Sequence, residues 1–122
     1  MIEERRREPR LDALPLNLFV YDNLSNHLLG TLVNISNRGM MILASSQCDP
    51  GGVLQVDLRS AEQPDRVLLA AGLKVAWTSP ASTAGSHWIG GRFIGIDQEN
   101  ARALAELIRR ARDNAAQASS PA

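Results

Sequence analysis

The chain alternates apolar and polar residues over most of its length and changes period near its end. Leu16-Asn17-Leu18-Phe19-Val20-Tyr21 alternates loosely, and the turn-forming run Asp22-Asn23-Leu24-Ser25-Asn26 follows it. Leu28–Ile35 and Gly39–Ala44 read as the next two strands, with a turn at Asn37-Arg38 between them. Asp49-Pro50-Gly51-Gly52 is a strong break. Val53–Arg59 alternates cleanly at period two, which predicts a half-buried strand with Gln55 and Asp57 facing outward. A polar loop is expected over Ser60–Asp65, then a long strand over Arg66–Trp77 that Ala70-Ala71-Gly72 bends. A second loop over Ser79–Ser86 leads to a last strand at His87–Ile94.

From Asp97 to Asp113 the apolar positions are Ala101, Leu104, Ala105, Leu107, Ile108 and Ala111, one face of a helix. Asp97 is the expected N-cap, and Arg102, Glu106, Arg109 and Arg110 face water. Six strands and then one helix place the chain in the all-β class, as a small antiparallel barrel or sandwich with the helix across a mouth or side.

Three stretches differ in character. Residues 1–12 carry Arg5, Arg6, Arg7 and Arg10 against Glu3, Glu4, Glu8 and Asp12, and only Ile2 and Leu11 could join a core. Pro9 disfavours a helix through Glu8, so a mobile arm is expected there. Residues 13–113 form the barrel and helix, and the small, polar residues 114–122 are expected to be a disordered tail.

Composition narrows the classes of function. At 122 residues and 13.2 kDa the chain suits one domain. Thirteen basic residues balance thirteen acidic ones, which excludes strong global attraction to a nucleic acid polymer or an acidic membrane but leaves room for a local basic patch. Cys48 is the only cysteine, so no intramolecular disulfide or cysteine zinc cluster can form, and a reducing cytoplasm is the natural compartment. The charged N-terminus does not read as a secretory signal. The longest apolar run, near Val67–Leu73, is far short of the ~20 residues a membrane helix needs, so no membrane insertion is expected. His27 and His87 form no metal-ligand spacing with each other or with Cys48. No nucleophile elbow, phosphate loop or paired carboxylate motif is present, so neither an enzyme nor a metal site is expected.

Two short patterns stand out. One is Arg6-x-x-x-Arg10, preceded by Arg5, and the other is Asn34-x-Ser36-x-x-Gly39. Taken singly, the first reads as a solvated tail and the second as a turn. Val75-Ala76-Trp77 ends one strand and Gly90-x-x-Phe93 lies in the next, and Trp77 and Phe93 read singly as core bulk. In this order the elements resemble the PilZ domain family, whose signature is an RxxxR arm followed by [DN]xSxxG on a six-stranded barrel. The resemblance runs from about Glu4 to the C-terminal helix.

The resemblance implies a six-stranded antiparallel PilZ-type β-barrel with the helix packed on it, and a non-enzymatic receptor for the bacterial second messenger cyclic di-GMP. It implies that Arg6 and Arg10 contact guanine and phosphate, and that Asn34 and Ser36 hydrogen-bond the ligand from the barrel. Gly39 would permit a positive φ or a close ligand, and Trp77 would stack on a base. Arginine suits this ligand on chemical grounds, since its guanidinium can pair with guanine O6 and N7, stack on a purine or grip a phosphate. On an extended arm, a spacing of four residues spans about 13 Å. Position 34 is Asn where Asp is commoner in the family, and an amide oxygen accepts a hydrogen bond without the carboxylate's charge. Arg38 adds a cation to the turn. Arg5 resembles its counterpart in members that bind an intercalated ligand pair, which implies two ligands per chain. The implied switch is an arm that closes on ligand and presents a new surface to an unidentified downstream protein. Two other readings compete. One is a PilZ-fold protein-interaction module that does not bind nucleotide. The other is a small barrel binding RNA or DNA, against which zero net charge and few aromatic residues count.

Overall fold

The computed structural model describes residues 10–45 and 47–118. The strands are β1 (Leu11–Asp12), β2 (Leu18–Asp22), β3 (His27–Ile35), β4 (Gly39–Ala44), β5 (Val53–Ser60), β6 (Gln63–Pro80) and β7 (His87–Ile94), and a single helix, α1 (Gln98–Ala118), follows. β2 to β7 pair antiparallel in the cyclic order β2-β5-β6-β7-β4-β3, and β3 returns to β2 to close a six-stranded barrel. Closure satisfies the backbone groups that an open sheet would leave at its two edges.

β3 is shared three ways. Its first half pairs with β2, and its last residues pair with β1, Leu11 opposite Ile35 and Asp12 opposite Asn34. Between β1 and β2 the chain makes a short 3-10 turn over Leu14–Leu16, closed by Asn17 in the left-handed region at φ 57°. Leu11 and Asp12, expected in a mobile arm, are therefore in the sheet, and Leu11 packs against the core. The earlier part of the arm lies outside the described residues.

The interior is aliphatic. Leu18, Val20, Leu32, Ile35, Ile42, Val56, Leu58, Leu69, Leu73, Val75 and Ile89 are all sealed from solvent. α1 lays Leu104, Leu107, Ile108 and Ala111 over this core, against β1, the 3-10 turn and β6. Its buried stripe is narrower than expected, because Ala101 and Ala105 face solvent while Ala103 tucks against the core. Asp97 caps the helix as expected, its carboxylate accepting the Asn100 N–H at 2.8 Å. The helix does not stop at Asp113 but continues to Ala118 through a run of good helix formers, so Asn114–Ala118 is helical where a disordered tail was expected.

β5 and β6 form a tighter hairpin than the composition suggests. Only Ala61 and Glu62 turn, and Gln63, Pro64 and Asp65 already belong to β6 instead of a loop. Pro64 is tolerated because the ladder is irregular there, with register shifts on both sides of Arg59. The register break within β6 falls between Val75 and Trp77, not at Ala70-Ala71-Gly72.

Asp57 departs from expectation in another way. It lies on the outer face, opposite in parity to Val56 and Leu58, yet it is fully buried. Its carboxylate accepts Asn23 Nδ2 at 2.9 Å and Arg59 Nε at 2.7 Å. The same guanidinium reaches Asn26 Oδ1 at 2.7 Å and sits 4.1 Å from the Tyr21 ring centre. Side chains from the β2–β3 turn and from β5 thus roof the carboxylate over, and hydrogen bonds replace the water it loses.

Candidate functional site

The Asn34–Gly39 segment carries β3 into β4. Ser36 N–H donates to the Gly39 carbonyl at 2.9 Å. Ser36 Oγ accepts the N–H groups of Arg38 at 3.2 Å and Gly39 at 3.3 Å. Ser36 is thus first a turn-builder, almost wholly buried. Both bonds use its oxygen as acceptor, so its hydroxyl hydrogen remains available to donate.

Gly39 is needed for a reason that the sequence did not suggest. Its φ is not positive. What excludes a side chain is the neighbouring strand, since a Cβ there would stand 2.0 Å from the Gly91 carbonyl oxygen. The glycine lets β4 approach β7.

Asn34 is half-buried on the outer face. Its Nδ2 lies 3.9 Å from Met41 Sδ. Its Oδ1 is buried and has no hydrogen-bond partner among the described residues. Buried polar atoms are rarely left so, and an amide oxygen in that position asks for an N–H donor.

Strand register extends the site across the barrel. Asp12 pairs with Asn34, Asn34 with Met41, Met41 with Gly90 and Gly90 with Trp77. These residues form one row on the outer surface of β1, β3, β4, β7 and β6. From Asn34 to Trp77 the row takes three interstrand steps, about 14 Å. Trp77 is 37 % exposed and so is not core bulk, whereas Phe93 does pack against the core. Continuing the β1–β3 register past Leu11 and Ile35 sets Arg10, which is exposed, across from Ser36. The row beside this one holds Gly39, Arg92 and Lys74.

The fold therefore gathers Arg10, Asn34, Ser36 and Gly39 at one end of an outer face and brings Trp77 onto the same row. Arg5 and Arg6 lie outside the described residues. Met41 and Gly90, which bridge Asn34 to Trp77, were missed as site residues. Gly90 stood in the Gly90-x-x-Phe93 pattern, but nothing in the sequence set it against Trp77.

Among the described residues no cluster of three or more His, Cys, Asp or Glu could hold a metal ion. His27 is exposed and His87 half-buried. Burial, then Asp49 and Asp22, pushes the Cys48 thiol above its ordinary range. A hollow of about 460 Å³ at the β5–β6 turn is lined by Glu62, Gln63, Pro64, Asp65 and Arg66 and contains none of the row. No described helix is long and apolar enough to cross a membrane.

Residues 4–110 match the PilZ domain, nearly nine-tenths of the chain. The chain belongs to the PilZ domain family. Its fold is that of the PilZ domain of YcgR from Escherichia coli, solved with c-di-GMP, at a TM-score of 0.70 and 18 % identity over 94 % of this chain and 97 % of that one. YcgR from Escherichia coli in complex with c-di-GMP superposes at 0.66 with 22 % identity over 93 % of this chain and 50 % of that one. K. pneumonia MrkH in its apo state superposes at 0.68 with 12 % identity over 98 % of this chain and 55 % of that one. This PilZ chain thus spans about half the length of the two larger proteins. No curated protein matches it.

Proposed function

We propose that this PilZ chain is a non-enzymatic, cytoplasmic receptor for cyclic di-GMP. The observation that carries the reading is the buried Oδ1 of Asn34, without a partner among the described residues, on an outer face that Arg10 borders and Trp77 shares. Guanine carries N–H donors on its Watson–Crick edge, the kind of group that oxygen lacks. The solved c-di-GMP complex of a PilZ domain with the same fold supports it.

In this reading Arg5, Arg6 and Arg10 hold guanine and phosphate from the arm side. Asn34, Ser36 and Gly39 receive the ligand on the barrel, and Trp77 stacks on a base. Arg5 provides for a second ligand molecule. Ligand, arm and barrel rim together make the surface that a downstream protein reads, and the ligand shifts the arm only as far as it binds one arm state better than the other.

Isothermal titration with cyclic di-GMP, with GTP as control, tests this. Arg6→Ala and Arg10→Ala should each cost about 1–3 kcal/mol, roughly ten- to a hundredfold in affinity. The binding ratio decides between one ligand and two. A folded sample that gives no heat would point to a PilZ-fold protein-interaction module instead.

A further inference from the structure

The row beside the Asn34–Trp77 row contains an arrangement that fold stability alone disfavours. Lys74 of β6 and Arg92 of β7 are directly opposite each other and share the outer face. Like charges in that relation repel. Both side chains are exposed, and neither makes an ion pair with a described carboxylate. Cations are commonly placed on strands to guard an open sheet edge, but at these positions there is none: Lys74 pairs with Val53 and Arg92, and Arg92 with Lys74 and Gly39.

The surroundings are positive as well. Gly39 pairs with Arg92 on its other side, and the Arg38 carbonyl accepts the Phe93 N–H at 2.7 Å, which fixes the Arg38 turn beside Arg92. Arg10 and Arg38 are both exposed at this end of the barrel. Against these four cations the same face holds, among the described residues, one carboxylate placed by the register, Asp12 at the far end of the Trp77 row, three interstrand steps from Gly90. Arg92 is two residues from Gly90, so the cation pair lies about 7 Å along the strands from the Trp77 row.

We infer that Lys74 and Arg92 form an anion site that receives a phosphate of the dinucleotide whose base stacks on Trp77. The inference rests on the cyclic di-GMP reading above and adds to it two ligand contacts from the late strands. A phosphate between the two cations turns their mutual repulsion into shared attraction, and the guanidinium fork supplies directional donors that the ammonium does not.

The test uses the full chain, titrated with cyclic di-GMP at low and high salt, as wild type and as Lys74→Gln, Arg92→Gln and Arg92→Lys. The ligand-free proteins are melted alongside. Each Gln variant should bind about tenfold more weakly with a shallower salt dependence, and Arg92→Lys should recover part of the loss. Without ligand the Gln variants should melt no lower than wild type, because a repulsion has been removed. Wild-type binding matched by both Gln variants would overturn the inference and leave the receptor reading standing. A lower melting point for ligand-free Arg92→Gln would make the pair structural and also overturn it. Absence of binding by folded wild type would remove the receptor reading itself and the inference with it.

Discussion

The Trp77 indole rests directly on the backbone of Gly90, where a Cβ would stand 2.2 Å from Nε1 and 2.3 Å from Cε2. The two residues are paired across β6 and β7, so the missing side chain on one strand is the seat for the ring on the other. The ring is thereby held in the outer row by the fold itself, and in the proposed receptor a stacking base would not have to spend binding energy on orienting it.

Gly90→Ala should therefore lift the indole from its seat. The substitution overpacks a close contact and should cost about 1–3 kcal/mol in urea denaturation. In a Trp88→Phe background the emission reports Trp77 alone and should move to longer wavelength as the ring gains water. An unchanged spectrum would mean that the seat does not hold the ring.

In the proposed receptor, Asn34 sets stability against ligand binding. Its buried Oδ1 has no partner among the described residues, and a buried acceptor left unpaired costs about 1–3 kcal/mol. Asn34→Leu, close in size and apolar, should raise the melting temperature of the ligand-free chain while abolishing the rise that cyclic di-GMP produces. A ligand-free variant that melts below wild type would contradict this account.

The Asp57 cluster sits elsewhere on the outer face. Its hydrogen bond to Asp57 is the main cause holding the Arg59 guanidinium above its usual range. Asp57→Asn should lower the urea midpoint clearly and loosen the β2–β3 turn, since Asn23 and Arg59 both lose an anionic acceptor. Asp57→Leu with Arg59→Met should recover much of the loss, because the pair is then removed whole. Amide exchange over Asp22–Asn26 reads the turn directly.

Much of this architecture was legible because period-two alternation reports which way a strand faces. Val53–Arg59 is the clear case, with Val56 and Leu58 inside and Gln55 out. Alternation does not report what covers the outer face. Asp57 has the outward parity and is buried, because Arg59, two residues on, folds back over it while Asn23 reaches it from the turn. The Asn34–Gly39 turn was legible from local chemistry, a serine and a glycine at fixed offsets. The seat under Trp77 was not, because it depends on how β6 and β7 register, and a bulge at Ala76 sets that register. The helix end was missed because its last turns carry few large apolar residues and continue on propensity.

Cys48 supplies a pH-dependent prediction. Its thiol is raised chiefly by burial, so the folded state favours the neutral form. Below the ordinary thiol range both states are protonated and the residue contributes nothing to pH dependence. As pH rises through that range the unfolded chain ionises first, so stability falls. Alkylation of Cys48 should be slower in the folded protein than in urea at the same pH, and equal rates would show an open site.

β6 is longer than either of its partners. It pairs with β5 along its first part and with β7 along its last, so its early residues run beyond the end of β7. At Ala70 the backbone N–H, left without a β7 partner, is taken at 2.8 Å by Asn100 Oδ1 from the first turn of α1. The helix thus acts as a stopper on an otherwise adhesive seam. A chain cut before Asp97 would offer that stretch of β6 to strands from other molecules, and polymerisation by strand addition is the hazard the helix averts.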